Sequence, residues 1–458
     1  MNVILGGGLA GLSCSYHLGH EKCRILEAKS HAFGHIHSTV REGFTWDEGP
    51  HVSFTSSQYV RDLFAKNVRE GFEEYSVRVR NFFGGHWIDH PAQSNLYQIP
   101  EPLRQQCLDS LIEARKNQPD HLQNYQQWID YAFGKVFARE FPMPYTEKYW
   151  TVSPEKLGID WIGARVFFPT IEEVCAGASG PLDRSTHYIS KVRYPTRGGY
   201  QSFAEFMLPG AEIELSTHII GVSLRNKIVK YRNSEGAAEV IPYDHLIVTI
   251  PLPQFVHICE EANDYVKEAA EQLRCTQVTL VNVTAPHPPL IDGNWFYVYD
   301  RDKLAVRIHL TERLSPNNAP SGCTGLQVEV YHSPWKPLSI SGIELELRIK
   351  KELVEMGFID PARCSSGWGD IRSHSVNVPW ANVVFDHERR AALETIWRFF
   401  EPFGLVRESD DLEPFTDWSS EQPGAKAGPL MFAGRFGQWR YFWSDDCVLR
   451  GKQISSMM

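Results

Sequence analysis

The first 27 residues constrain the fold more than any other part of the chain, because they combine two apolar strands, a helical pattern and closely spaced glycines. The glycines form G-x-G-x-x-G at Gly6, Gly8 and Gly11, and the second predicted strand ends on Glu27. In such a motif the first glycine allows a tight turn, the second lets a pyrophosphate approach the backbone, and the third lets the helix pack on the sheet. The pattern predicts a βαβ unit that binds a dinucleotide.

Glu27 narrows the choice of nucleotide. Its carboxylate can accept both hydroxyls of an adenosine ribose and would repel a 2′-phosphate, which argues against NADP. The free amides and the dipole at the helix N-terminus favour the phosphates. The alternative is a glycine-rich turn in an ordinary α/β protein. The two strands and the acid around the glycines make that interpretation the weaker one.

The composition excludes several classes of protein. A chain of 458 residues is too long for one compact core, so we expect two or three domains. The net charge of −10 argues against nucleic-acid binding, and no apolar run approaches the ~20 residues of a membrane span. The nine cysteines form no C-x-x-C pair, and no basic leader precedes the first strand. We therefore expect reduced thiols and a cytoplasmic protein.

The features of a nucleotide-binding domain are spread over three separate stretches. No third strand of a contiguous Rossmann unit follows soon after Glu27, and such features return near 194–250 and 430–451. No second G-x-G-x-x-G is present, so a separate NAD(P)H domain is not indicated. This layout is typical of flavoproteins. It predicts the α/β class, with a Rossmann-like FAD-binding domain built from discontinuous segments and a mixed α+β substrate domain.

The second lobe has its own patterns. Helical periodicity over 103–116 and 122–137 predicts a helical insert near 100–140, and strand patterns predict a sheet near 275–335. The proline-bounded aromatic segment 142–150 predicts a loop, and the alternation of Trp439, Tyr441 and Trp443 predicts a strand-like segment. The expected limits are 1–75, 194–265 and 416–458 for the FAD-binding domain, and 76–193 and 266–415 for the substrate domain.

Several segments of the chain resemble one family. They are Ile25-Leu26-Glu27-Ala28 with Gly34-His35, Asp47-Glu48-Gly49-Pro50-His51, Arg197-Gly198-Gly199-Tyr200, Ile213 to Val222, and Gly434-Arg435-Phe436-Gly437 with Asp445-Asp446. Together they are similar to the FAD-binding amine-oxidase-like superfamily, which includes monoamine oxidases, protoporphyrinogen oxidases, phytoene desaturases and UDP-galactopyranose mutases. Phe33 and His35 replace the first glycine and the arginine of the family's Gly-Gly-Arg.

The resemblance implies FAD as the cofactor and a set of residues that contact it. The backbone near Ile219 would meet the adenine, and the helix that follows Gly434 would meet the flavin phosphates and ring. The implied FAD-binding residues are Gly6, Gly8, Gly11, Glu27, Gly34, His35, Gly49, Ile219, Gly434, Asp445 and Asp446.

Two branches of the superfamily compete. The segments 84–91, 145–150 and 434–441 are most similar to UDP-galactopyranose mutases and their relatives. The segment Asp244 to Pro253, with the sequence DHLIVTIPLP, is more similar to the oxidase branch. The resemblance therefore leaves both an oxidation and a sugar-nucleotide rearrangement open.

The candidate catalytic residues are Arg435, His51 and Tyr441. A mutase that uses reduced FAD needs arginines to hold a diphosphate, and Arg435 is the first choice for that role. The alternative is that Arg435 forms an ion pair near the C-terminal helix. His51 lies in a turn that the resemblance places near the flavin. The histidines at 31, 35 and 37 lack the carboxylate spacing of a metal site, so no metal is expected.

Four residues are candidates for substrate binding, each with a structural alternative. Tyr145 and Lys148 would line the cleft, or else form a surface loop with a salt bridge. Arg307 would bind the substrate, or else lie on a solvated strand face. Trp439 would cover the flavin, or else pack in the core.

These residues allow three functions. The first is flavin-dependent oxidation of a polar small molecule, such as a glycan or nucleotide-sugar precursor. The second is a UDP-galactopyranose-mutase-like rearrangement that uses reduced FAD, and the third is a non-catalytic FAD-binding protein, which only the departures at Phe33 and His35 support. The sequence leaves the substrate, the electron acceptor and the oligomeric state open.

Overall fold

A computed structural model of the chain describes residues 1–163, 166–182, 191–407 and 427–458. Its strands, in chain order, are Asn2–Leu5 (β1), Cys23–Leu26 (β2), Ser38–Arg41 (β3), Phe44–Asp47 (β4), Phe72–Ser76 (β5), Val79–Phe83 (β6), His86–Asp89 (β7), Lys191–Pro195 (β8), Ile213–Glu214 (β9), His218–Ser223 (β10), Ile228–Arg232 (β11), Ala238–Pro242 (β12), His245–Val248 (β13), Gln277–Ala285 (β14), Trp295–Val298 (β15), Arg307–Leu310 (β16), Thr324–His332 (β17), Arg372–Val378 (β18) and Leu430–Phe432 (β19).

The helices connect and cover these strands. They are Leu9–Leu18 (α1), Gln58–Asn67 (α2), Glu101–Arg115 (α3), Tyr125–Phe133 (α4), Lys135–Glu140 (α5), Pro142–Tyr149 (α6), Ile171–Ser179 (α7), Leu252–Ile258 (α8), Asp264–Glu271 (α9), Gly342–Glu355 (α10), Arg389–Phe400 (α11), Gly434–Gly437 (α12) and Ser444–Met457 (α13). Among these helices none is long and apolar enough to span a bilayer.

A five-stranded sheet forms the centre of the first lobe, in the order β19-β13-β1-β2-β9. All four pairings in it are parallel. Its strands come from three distant stretches of the chain, and β1 and β13 are buried apolar runs, as parallel strands covered on both faces should be. The α/β class predicted from the sequence is confirmed. The exact domain limits stay a prediction, and the limit at 416 lies outside the described residues.

The second lobe contains a seven-stranded sheet in the order β18-β14-β17-β16-β15-β6-β7. Its pairings are antiparallel except that between β15 and β6. The helical insert α3–α6 packs beside this sheet through aromatic contacts such as that of Phe141 with Tyr299, whose ring centroids lie 5.4 Å apart.

Three local predictions were wrong. The segment 142–150 is not a loop, because prolines fit the first turn of a helix and Pro142 begins α6. The helix predicted over 122–137 is broken at Gly134, which adopts φ +80°. The segment 439–443 is not a strand, since Trp439 has φ +55° and follows the short helix α12.

Candidate active site

Glycines bring four segments together at the N-terminus of α1. A Cβ on Gly11 would lie 2.0 Å from the Gly6 carbonyl oxygen, so only glycine allows α1 to approach β1 this closely. A Cβ on Gly34 would lie 2.9 Å from Gly8 Cα, and one on Gly434 would lie 2.8 Å from Ala10 Cβ. We call these closely packed glycines the glycine cradle; glycines at the N-terminus of a helix, where the backbone amides are free, fit the pyrophosphate of a dinucleotide.

Glu27 lies beside this cradle and is 8% exposed. Its Oε2 accepts a hydrogen bond from the Gly7 amide at 2.6 Å, and its Oε1 accepts one from the Lys29 amide at 2.7 Å. The Glu27 carbonyl accepts from Thr217, two residues before Ile219 in β10. The predicted ribose and adenine contacts are therefore adjacent in the structure.

The loop with the unusual Phe33 and His35 keeps a defined geometry. Phe33 has φ 78°, and its amide donates to the Gly7 carbonyl at 2.9 Å. His35 Nδ1 lies 2.8 Å from Glu48 Oε1, and Lys29 Nζ lies 2.9 Å from the other carboxylate oxygen. Burial opposes the charge of Glu48, but these two partners lower its pKa to about 2. The departure from Gly-Gly-Arg thus replaces an arginine with a hydrogen-bonded acid–base cluster.

His51 lies at the turn that follows β4. Its Nδ1 donates to the Gly49 carbonyl at 2.9 Å, which leaves Nε2 as an acceptor. Burial and the nearby charges of His35, Arg307 and Arg435 lower the pKa of His51 to about 4, against the effect of the Gly49 hydrogen bond. The ring is therefore neutral at physiological pH. Both candidate arginines therefore contribute to the electrostatic environment of His51.

The start of α13 completes the first-lobe side of the site. Asp446 accepts a hydrogen bond from the Trp443 amide at 2.7 Å and caps the helix. Burial raises the pKa of Asp445, whose carboxylate is hydrogen-bonded to Thr55. The Tyr200 hydroxyl and Ser444 Oγ are 2.6 Å apart. Both aspartates therefore lie in the first turn of α13, and a role of theirs in FAD binding stays a prediction.

Arg435 follows Gly434, the glycine that contacts α1. The Arg435 side chain faces the second lobe. One of its terminal nitrogens donates to Asn382 Oδ1 at 2.7 Å, and the guanidinium lies 5.0 Å from the centre of the Tyr441 ring. Its Nε is buried and has no hydrogen-bond partner among the described residues. No carboxylate lies within ion-pair distance of Arg435 in that part of the chain, so the predicted alternative of an ion pair near the C-terminal helix has no support there.

Arg307 forms a different kind of contact. Its guanidinium makes a two-pronged ion pair with Glu329, with distances of 2.9 and 2.7 Å, and Glu329 also accepts from the Tyr331 hydroxyl at 2.9 Å. Burial disfavours the charge of Arg307, but Glu329 and the neighbouring tyrosines raise its pKa well above the usual value. The solvated strand face weighed for Arg307 does not fit, because its partner Glu329 is 2% exposed.

Tyrosines line the space between these arginines. Tyr145 stacks on Tyr149 at 5.4 Å, and Tyr149 lies 4.7 Å from Tyr331. Burial raises the pKa of Tyr145 and Tyr149 well above the usual value, and both sense the charge of Arg307. The structure thus brings Tyr145 together with Arg307, Arg435 and their neighbours in one aromatic cluster, at the place of the predicted substrate cleft.

Two of the predicted substrate-binding residues point elsewhere. Lys148 Nζ donates to the carbonyls of Val298 and Asp300, each at 3.0 Å, and so ties α6 to the end of β15. Trp439 is 0% exposed and packs against Trp380 and Phe436 at 6.2 Å. Their placement favours structural roles, and substrate contact by either stays a prediction.

Four residues of this cluster were not among the candidates predicted from the sequence: Asn382, Glu329, Tyr149 and Tyr331. Tyr149 lies within a predicted loop, and the other three lie in strand or turn segments without a motif. Only the alternation of Glu329 and Tyr331 on one strand indicated that they share a face. Among the described residues no group of three or more His, Cys, Asp or Glu side chains could hold a metal ion.

Comparison with known proteins agrees with this geometry. The family described as flavin-containing amine oxidoreductase matches residues 9–336. A solved structure of reduced UDP-galactopyranose mutase shares 22% identity and a TM-score of 0.83, covering 99% of this chain and 93% of that one. A putative protoporphyrinogen oxidase from Exiguobacterium sp. 255-15 shares 17% identity and a TM-score of 0.72, covering 99% and 97%. A redesigned putrescine oxidase shares 12% identity and a TM-score of 0.58, covering 99% and 98%.

The three structures show a shared fold, and the family match covers most of the chain. The glycine cradle and the buried Glu27 fit a dinucleotide, as the family requires. The chain belongs to the flavin-containing amine oxidoreductase family and is a FAD-dependent enzyme.

Proposed function

We propose that this enzyme acts on an anionic metabolite of the nucleotide-sugar class, bound in the cleft beside Arg435. The observation that carries the proposal is the state of the Arg435 guanidinium. It is half-buried, its contact is the neutral oxygen of Asn382, and its buried Nε lacks a partner among the described residues. A partly buried cation that no carboxylate of the described residues neutralises favours an anion, and arginine forms two-pronged hydrogen bonds with phosphates.

The charge of Arg435 also bears on which substrates are disfavoured. A cationic amine would be repelled by this guanidinium, whereas the charge of Arg307 is neutralised by Glu329. Arg435 therefore has no carboxylate partner among the described residues, whereas Arg307 belongs to a neutral ion pair. This difference suits a molecule whose diphosphate binds beside Arg435 and whose sugar is polar and uncharged.

The reaction that we propose first is a redox-neutral rearrangement of the sugar, as in UDP-galactopyranose mutase, whose fold this chain shares. FAD, when bound, supplies the reactive flavin ring. Arg435 would hold the diphosphate, and the ring of Tyr441 would orient the guanidinium through a cation–π contact. Tyr145 and Tyr149 would exclude water from the sugar. His51 Nε2 would accept a hydrogen bond, because the Gly49 carbonyl keeps the ring proton on Nδ1.

Oxidation of a polar metabolite is the second candidate. The aromatic wall favours it, because loss of hydride from a C–H bond is helped by a cleft that excludes water. The family's amine oxidoreductases provide further support. An anionic substrate suits this candidate as well, so Arg435 does not decide between the two reactions.

One pair of assays tests the proposal. FAD-loaded protein is reduced with dithionite under anaerobic conditions and incubated with UDP-sugars, and the products are identified by chromatography. In parallel, oxygen consumption is measured with the same sugars and with amines. Conversion only after reduction supports the rearrangement, and oxygen consumption with a UDP-sugar supports the oxidation. Turnover of amines, together with no binding of any nucleotide-sugar, would overturn the proposal.

A further inference from the structure

Asn382 lies between Arg435 and Tyr149 and is 3% exposed. Its Oδ1 accepts hydrogen bonds from Arg435 at 2.7 Å and from the Tyr149 hydroxyl at 3.1 Å. Because a guanidinium can only donate, the atom that faces Arg435 must be the amide oxygen. The backbone N–H of Asn382 donates to the Thr276 hydroxyl at 3.1 Å, which fixes the backbone at this position.

The two arginines of the cleft differ in the charge of their partners. Arg307 is held by the carboxylate of Glu329, so the pair is neutral. Arg435 is held by an amide that supplies the same kind of acceptor without a charge. The geometric task of the two partners is equivalent, but only Arg435 keeps its full positive charge for a ligand.

We infer that Asn382 determines the anion specificity of the cleft, because it orients Arg435 without neutralising it. This inference rests on the proposed binding of a diphosphate beside Arg435. It assigns to Asn382 a role that no sequence motif indicated. The chemical class of ligand is a diphosphate or another compact dianion, and the residue acts through Arg435 rather than by direct contact.

The difference between an amide and a carboxylate gives a sharp test. Asn382→Asp keeps the size of the side chain and both acceptor contacts, but it adds a negative charge next to Arg435. The new carboxylate would pair with Arg435 and compete with the ligand. Asn382→Leu removes the acceptor and adds no charge, so the guanidinium loses its orientation but keeps its charge.

The experiment is isothermal titration calorimetry of FAD-loaded protein with UDP and, separately, with inorganic pyrophosphate. We expect Asn382→Asp to lower the affinity for both probes by about tenfold or more, and Asn382→Leu to lower it by less than about fivefold. Lowering the pH should restore part of the affinity of Asn382→Asp, as the new carboxylate takes up a proton. The matched control is Asn263→Asp, which adds the same charge at the exposed N-cap of α9, where aspartate caps equally well.

Each outcome decides the matter. Asn382→Asp binding both probes within about twofold of the wild type would overturn the inference, and so would Asn382→Leu losing as much affinity as Asn382→Asp. If Asn382→Asp fails to retain FAD, the Leu variant remains decisive, since a loss of about tenfold or more there contradicts the inference. A wild type that binds pyrophosphate but not UDP would overturn the nucleotide-sugar proposal. The affinities of the two Asn382 variants for pyrophosphate would then decide the inference. A wild type that binds neither probe overturns both.

Discussion

Asp47 and Tyr200 are separated by 153 positions, yet Asp47 Oδ1 accepts a hydrogen bond from the Tyr200 amide at 3.0 Å. Asp47 Oδ2 accepts from the Tyr194 hydroxyl at 2.7 Å. A Cβ on Gly199 would lie 2.7 Å from the same carboxylate, which explains why a glycine precedes Tyr200. The family-like segments 47–51 and 197–200, which are far apart in the sequence, are therefore joined through one buried acid.

This acid makes stability depend on pH. Burial raises the pKa of Asp47 to about 6, despite hydrogen bonds that favour its charged form. The folded state then binds a proton more tightly than the unfolded state, so stability falls as the pH rises from about 4 to about 6. We expect Asp47→Asn to remove this pH dependence of the stability, measured by thermal unfolding at several pH values. The effect is up to about 1.4 kcal/mol per unit of pKa difference. The same substitution at the exposed Asp120 is the control, and an unchanged pH profile in Asp47→Asn would contradict the assignment.

The close approach of α1 to β1 predicts the effect of Gly11→Ala. The new methyl group would lie 2.0 Å from the Gly6 carbonyl oxygen, so the helix must shift away from the strand. Overpacking of this kind costs about 1–3 kcal/mol, and the shift would also move the backbone that should hold the pyrophosphate. We expect a lower FAD content, measured from flavin absorbance per protein, and a lower melting temperature. Gly180→Ala, where a methyl group meets no atom within 4 Å, should change neither.

The ion pair in the cleft predicts a large cost for Glu329→Gln. Without the carboxylate, the Arg307 charge stays in the protein interior with only the amide oxygen as acceptor. Removing one partner of a buried pair typically costs about 3–5 kcal/mol. Urea unfolding measures this change. Glu113→Gln breaks the exposed pair with Lys116 and should cost less than about 1 kcal/mol, and equal losses in the two variants would contradict the account.

Lys148 should affect stability rather than ligand affinity. Burial lowers its pKa to about 7, with partial compensation from Glu352 and the aspartates near β15. The unfolded state holds the proton up to higher pH, so stability should rise between about pH 7 and pH 10. Lys148→Met should abolish this rise in melting temperature and leave the UDP affinity within about twofold. A selective loss of UDP affinity would instead support the substrate contact predicted from the sequence.

The N-terminal βαβ unit could be predicted from the sequence, because it is built from local rules. The turn at Gly6, the packing at Gly11 and the acid at Glu27 each follow from short spacings in one βαβ unit. The parallel sheet could be predicted as well, because two further apolar strand patterns occur near 245 and 430. Local signals of this kind are carried by backbone geometry, which glycine and proline reveal directly.

The cleft could not be predicted in the same way, because its contacts are long-range and depend on side-chain direction. Asn382 meets Arg435 and Tyr149 from three different parts of the chain, and none of the three segments has a spacing that indicates the others. The sequence left Arg307 as either a substrate contact or part of a solvated strand face, and it did not indicate the ion pair with Glu329, which strand β17 places beside it. The prediction of a strand-like segment at Trp439 was wrong, because nothing in the sequence indicates that this tryptophan has a positive φ.

The most direct test of the central claim is a titration of the FAD-loaded protein with UDP, followed by the visible absorption spectrum of the flavin. If the diphosphate and the flavin share the cleft beside Arg435, UDP should produce a saturable change in the flavin spectrum. The affinity for UDP obtained from this titration should be lower by about tenfold or more in Arg435→Ala. A protein that binds FAD but shows neither a spectral change nor calorimetric binding of UDP would contradict the account.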